Sequence, residues 1–140
     1  MNLILFLNGN LGLKVLKHLV NNQDHNIIAV VLNSEKKRSI GYLDEVKAVL
    51  KNEGNLSQVV VWNGSKLQLR ELCKFLDTPT YGVSALFGHI LPKEMTSKFT
   101  GGILNLHPSL LPIGRGANPV SWSIIDRQPQ GISLHLIDQQ

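Results

Sequence analysis

Two uninterrupted apolar runs, Leu3 to Leu7 and Ile27 to Leu32, stand on either side of a segment with helical spacing. That arrangement restricts the fold more than anything else in the chain. A strand with one wet face alternates apolar and polar residues. A run with no polar position must be covered on both faces, the condition of strands inside a parallel sheet. Between the two runs, Asn8-Gly9-Asn10 reads as a turn. Leu11, Val15, Leu16, Leu19 and Val20 then recur on one side of a helix, with Lys14, Lys17 and His18 on the other. Asn21-Asn22-Gln23 closes it. Strand, glycine turn, helix and strand make a βαβ unit, whose crossover is right-handed in nearly all proteins.

The same alternation continues to the end of the chain. After a polar loop from Asn33 to Gly41, the spacing predicts a helix over Tyr42 to Asn52, with Leu43, Val46, Val49 and Leu50 inward and Gly54-Asn55 as its stop. Val59 to Trp62 is a short strand, and Lys66 to Leu76 a helix capped by Ser65. Thr80 to Leu86 is a strand, Gly88 to Pro92 a loop and Lys93 to Ser97 a helical turn. A strand from Ile103 follows Gly101-Gly102. Pro119 to Asp126 is helical, with Pro119 suited to the first turn, and Ile132 to Ile137 is an alternating strand. Strands and helices in turn predict an α/β fold with a doubly wound sheet.

Bulk properties remove several function classes. The 140 residues suffice for one domain with a genuine core; 43% are hydrophobic and 17% charged, which excludes a disordered chain. The net charge of +4 is modest, and Lys36-Lys37-Arg38 reads as a solvated loop rather than a nucleic-acid patch. Cys73 has no partner for a disulfide and reads as a core thiol; no His or carboxylate spacing suggests a metal site. Neither a signal peptide nor a membrane-spanning run is present, so a soluble protein of the reducing cytoplasm is expected.

The chemistry concentrates in Asn105-Leu106-His107-Pro108. Side chains two apart in a strand share a face, so Asn105 and His107 project together while Leu106 points the other way. Pro108 ends the pairing. An amide and an imidazole thus stand side by side at a strand end, where open α/β sheets place their ligands. Burying two such groups is costly unless they meet water or a ligand. The other histidines carry weaker signals. His18 and His25 read as solvated, and His135 as a satisfied core residue on its strand. His89 reads either as a loop histidine held by backbone or as the rim of a binding site. Gly9 to Gly12 lacks the dinucleotide fingerprint; it is either a plain turn or one that lets the next helix face a ligand phosphate.

The run Asn105-Leu106-His107-Pro108-Ser109-Leu110-Leu111-Pro112-x-x-Arg115-Gly116 resembles the signature of the folate-dependent formyltransferases, which act on glycinamide ribonucleotide, methionyl-tRNA or sugar amines. Leu86-Phe87-Gly88-His89-Ile90-Leu91-Pro92 resembles that family's folate-contacting loop, and Gly131 to Asp138 resembles the strand entering its active site. The likeness spans essentially the whole chain, more loosely before residue 80. It implies a Rossmann-like, mostly parallel sheet and 10-formyltetrahydrofolate as formyl donor. Phe87, Gly88, His89, Ile90, Leu91, Ile137 and Asp138 would line the donor pocket. Asn8, Gly9, Asn10, Ser109 and Arg115 would face the acceptor. Asn105 and His107 would be catalytic, stabilising the oxyanion of a tetrahedral intermediate.

The family's third catalytic group, an aspartate, is expected just past Gln140, since Asp138 matches an earlier acidic position. Residues 1–140 are therefore expected to be a catalytic domain incomplete at its C-terminal end and nearly inactive alone. Arg115-Gly116-Ala117-Asn118-Pro119-x-x-Trp122-Ser123-Ile124 is most similar to the sugar-amine branch, so the expected acceptor is a small amine such as a nucleotide-linked amino sugar, with no nucleic acid, membrane or metal involved. Two alternatives stand beside this: a formyltetrahydrofolate hydrolase, and a non-catalytic folate- or nucleotide-binding module.

Overall fold

The two apolar runs lie side by side in the middle of one sheet. The structure is a computed structural model that describes residues 1–33, 42–54, 58–62, 66–74, 76 and 78–137. Lys36-Lys37-Arg38, Asn55, Ser65 and Asp138 lie outside the described residues. In chain order the elements are β1 (Asn2–Leu7), α1 (Gly9–Val20), β2 (Asn26–Asn33), α2 (Tyr42–Asn52), β3 (Gln58–Trp62), α3 (Lys66–Cys73), β4 (Thr80–Ala85), α4 (Lys93–Thr96), β5 (Ile103–His107), α5 (Pro119–Ile125) and β6 (Ser133–Leu136). The sheet order is β3-β2-β1-β4-β5-β6. β1 pairs in parallel with β2 and β4, β2 with β3, and β4 with β5; β6 alone is antiparallel, at the edge beside β5.

The sheet divides two cores, which explains why β1 has no polar position. Leu3, Leu5 and Leu7 enter one core, and Ile4 and Phe6 the other. In β2 the alternation slips. Leu3 pairs with Ile27 but Ile4 with Ala29, so Ile28 is an extra residue in the ladder. The slip puts Ile27, Val30 and Leu32 on one side and Ala29 and Val31 on the other. α1 covers the first core through Leu13, Val15, Leu16, Leu19 and Val20, and α2 through Leu43, Val46, Val49 and Leu50. Leu72, Leu76, Met95 and Phe99 close the second.

Several boundaries differ from the sequence expectation, and three of them have a clear local cause. Asn8-Gly9-Asn10 is not a separate turn: α1 begins at Gly9, so Asn8 alone links strand to helix. Gly9 makes this possible with φ +61, and Gly12 by bringing α1 against β1, where a Cβ would sit 3.0 Å from Leu7 Cβ. α3 stops at Cys73, because tighter bonds from Lys74 N–H to the Glu71 oxygen and from Leu76 N–H to the Cys73 oxygen replace the helical ladder. β4 stops at Ala85, because Leu86 takes φ +56.

β6 shows the alternation of a strand with one covered face. Ser133 and His135 are half-buried, while Ile132, Leu134 and Leu136 are exposed. Gly82 pairs with Ile103 across β4 and β5, and a Cβ there would lie 2.7 Å from Ile103 Cγ1. Ile103 is fully buried and has nowhere to retreat. Gly82→Ala should therefore cost roughly 1–3 kcal/mol in chemical denaturation. Leu134→Ala, on the outer face of β6, should change stability by no more than about 0.5 kcal/mol.

Candidate functional site

The strand order reverses between β1 and β4, and the crevice beyond their carboxyl ends is where such sheets bind ligands. The backbone builds this edge closely. Asn8 N–H donates to the Ala85 oxygen at 3.0 Å, which extends the β1–β4 ladder one step past the end of β1. Asn8 Oδ1 is buried and has no hydrogen-bond partner among the described residues. Past Ala85, the left-handed turn at Leu86 sends the chain back over the sheet. Gly88 N–H then donates to Oδ1 of Asn33, the buried last residue of β2, at 3.3 Å. Gly88 cannot be exchanged for a larger residue without moving this contact, since a Cβ would meet Asn33 Nδ2 at 2.9 Å.

Aromatic rings support the same loop. Phe87 lies edge-on to Phe6, with centroids 5.4 Å apart, and stacks on Trp62 at 5.7 Å and an interplanar angle of 8°. His89 leans on both Trp62 and Phe87, at 5.2 and 5.4 Å. Leu91 and Ile137 pack on the second core with Phe87, whereas Ile90 is 94% exposed. Of the seven residues expected to line a donor pocket, four thus form an apolar and aromatic wall. Gly88 contributes backbone, Ile90 points outward, and Asp138 is outside the described residues.

β5 carries the polar pair as its spacing predicts. Ile103 belongs to the second core and Leu106 packs against the first, so Asn105 and His107, both half-buried, share the face of Ile103. On β4 the neighbour of Asn105 is Ser84; on β6 the partners are His135 for Asn105 and Ser133 for His107. His135 is hydrogen-bonded, as expected, but half-buried rather than in the core: its Nε2 lies 3.1 Å from Asn105 Nδ2, and its ring centroid 6.5 Å from that of His107. His25 also departs from the solvated reading, since its Nδ1 is buried. His18 is exposed as expected.

The loop after β5 braces the second histidine. His107 Nε2 is 2.9 Å from the Gly114 oxygen; a carbonyl only accepts, so Nε2 carries the hydrogen and Nδ1 is left for the site. Ser109, buried, donates its hydroxyl to the Ile113 oxygen at 2.8 Å and to the Gly114 oxygen at 3.2 Å. Ser133 ties the loop to β6 by donating to the Ser109 oxygen at 2.7 Å and accepting from Leu111 N–H at 2.9 Å. A cis peptide joins Leu111 to Pro112. Arg115 is exposed and bonds through Nε–H to the Pro112 oxygen at 3.3 Å. Gly9 and Asn10 form the first turn of α1. Among the described residues, no carboxylate is hydrogen-bonded to Asn105, His107 or His135, and no three His, Cys, Asp or Glu side chains converge on a possible metal position.

The family model described as formyl transferase aligns with residues 1–140. The chain belongs to the formyl transferase family. A methionyl-tRNA formyltransferase of Clostridium beijerinckii is 33% identical over 121 residues, covering 83% of this chain and 39% of that protein. One from Caldanaerobacter subterraneus is 33% identical over 125 residues, covering 84% and 39%. The chain therefore spans about two fifths of the length of the curated relatives it matches. Among solved structures, a phosphoribosylglycinamide formyltransferase from Anaplasma phagocytophilum superposes with a TM-score of 0.72 at 20% identity, over 100% of this chain and 66% of that one. A sugar N-formyltransferase from a Shewanella species gives 0.68 at 21%, over 100% and 52%. These likenesses establish the Rossmann-like fold.

Within this chain, the contacts that sequence spacing missed are those between distant segments. Asn33, Ser133 and His135 all enter through the tertiary pairing of strands. The one available signal was the Ser133–His135–Ile137 alternation, which groups them on a face without saying which strand faces them. Among the described residues no helix is long and apolar enough to cross a membrane. Ser133→Ala removes the acceptor for Leu111 N–H and the donor for the Ser109 oxygen. It should cost about 1–3 kcal/mol by thermal or chemical unfolding.

Proposed function

We propose that this chain carries the donor-binding and catalytic core of an enzyme that moves a formyl group from 10-formyltetrahydrofolate to an amine. The observation that carries this reading is the placement of Asn105 and His107 on one face at the carboxyl end of β5, beside the Phe87–Leu91 loop, in a chain of the formyl transferase family. The donor's flat ring system fits an edge walled by Phe87, Leu91 and Ile137, where Gly88 leaves backbone rather than a side chain in reach. Asn8 Oδ1, buried at the switch in strand order and without a hydrogen-bond partner among the described residues, is an acceptor that a ligand donor could satisfy.

The residues have distinct tasks. As the amine nitrogen bonds to the formyl carbon, the C=O π pair moves onto oxygen. Asn105 N–H donates to that oxygen, and His107 Nδ1, where it carries a proton, adds a second bond. The nitrogen then loses a proton, the C–N10 bond breaks as C=O re-forms, and N10 takes up a proton. Within the His107 ring, Nδ1 is the nitrogen available to relay it, because Nε2 is held by the Gly114 oxygen. The family resemblance gives the main proton transfer to a further residue, an aspartate.

For the acceptor we favour a small amine such as a nucleotide-linked amino sugar, on the likeness of the Arg115–Ile124 segment to the sugar-amine branch. The cited curated relatives, named as methionyl-tRNA formyltransferases, support methionyl-tRNA as the second reading. Product analysis by mass spectrometry, with 10-formyltetrahydrofolate and each class of amine, separates them. Formylated small amine is the expected product; formylated methionyl-tRNA supports the second reading. Formate without an amine indicates a hydrolase, and binding without turnover a non-catalytic module. Asn105→Ala and His107→Ala should each slow transfer by about a hundredfold or more.

A further inference from the structure

His135 is the site histidine that the reaction above leaves without a task. Its Nε2 lies 3.1 Å from Asn105 Nδ2, and its Nδ1 lies 3.0 Å from the Leu136 carbonyl oxygen. A carbonyl oxygen only accepts, so Nδ1 carries the hydrogen. In the neutral ring Nε2 is then an acceptor, and what faces it must be an N–H of the Asn105 amide. One tautomer and one amide orientation satisfy both contacts. Turning the amide over would set Asn105 Oδ1 against an unprotonated Nε2, two acceptors face to face.

We propose that His135 is a positioning residue that decides which end of the Asn105 amide meets the reacting carbonyl. It engages one N–H of Nδ2 and leaves the second N–H for the formyl oxygen. This rests on the reading that Asn105 donates to that oxygen. His135 is the one hydrogen-bond partner of the Asn105 side chain among the described residues, so without it the amide has two orientations of similar energy. The tautomer is set by β6 itself, because the carbonyl that takes Nδ1–H belongs to the next residue of the strand. His107 is held in the opposite tautomer by the Gly114 carbonyl. The two rings, 6.5 Å apart, thus present different nitrogens to one site, each chosen by a backbone oxygen.

Nitrogen-15 NMR of the histidine rings in the 140-residue chain reads this without turnover. The expected result is His135 in the Nδ1–H form, His107 in the Nε2–H form, and one Asn105 side-chain N–H protected from exchange. His135→Gln, which can place an acceptor oxygen near the position of Nε2, should keep that protection. His135→Leu should lose about tenfold of it. In turnover, His135→Leu should lower kcat about a hundredfold with little change in KM for the donor, the cost of a misplaced catalytic group. His135→Gln should recover most of the loss. His135 in the Nε2–H form, or Leu and Gln variants that behave alike, would overturn the proposal. Slow Asn105→Ala with wild-type His135→Leu would overturn the role of His135 alone. Wild-type turnover by Asn105→Ala would instead overturn the reading on which it rests.

Discussion

The site depends on the register between β5 and the antiparallel edge strand β6. That register sets His135 against Asn105 and Ser133 against His107. A slip of one residue would turn Leu134 and Leu136 inward and send the histidine and serine to solvent, because side chains alternate along a strand. Three long-range bonds follow from the register: Asn105 to His135, Ser133 to the Ser109 oxygen, and Leu111 to Ser133. The loop these bonds fasten carries the Gly114 oxygen that orients His107. One strand pairing therefore positions both polar side chains of β5, one directly and one through the loop.

The parallel part of the sheet supplies the rest. β1, covered on both faces, puts Asn8 at the change in strand order and Phe6 under Phe87. β2 ends in Asn33, which fastens the Gly88 loop. Three separate strand ends, those of β1, β2 and β3, thus meet the segment that leaves β4. Apolar burial holds the strands, and a few side-chain amides and hydroxyls fix the loops between them. This division of labour suits a domain that must keep a polar site ordered at the rim of an apolar core.

Much of this was legible from residue order alone, for local reasons. Apolar runs without polar positions identify β1 and β2, and α2 has the bounds its spacing predicts. Period-two geometry puts Asn105 and His107 on one face before any contact is known. What escaped was non-local. His135 reads as an ordinary strand histidine because nothing in its own neighbourhood names its partner on β5. Ser109, expected to face an acceptor, is buried with its hydroxyl on the carbonyls of its own loop, a contact set by backbone path rather than residue type. The ends of α3 and β4 moved because tight turns and a left-handed leucine compete with regular structure there. Membership of the formyl transferase family agrees with the motif-level resemblance.

The central claim is that donor recognition and the Asn105–His107 pair share one edge of the sheet. Titrating the isotopically labelled 140-residue chain with 10-formyltetrahydrofolate and following the NMR spectrum tests it most directly. The account predicts that the largest shifts fall on the Gly88 amide, the rings of Phe87, His89 and His107, and the Asn105 side-chain amide. Saturable shifts confined to another surface, such as the groove between α1 and α2 lined by Leu13, Glu45 and Val49, would contradict it.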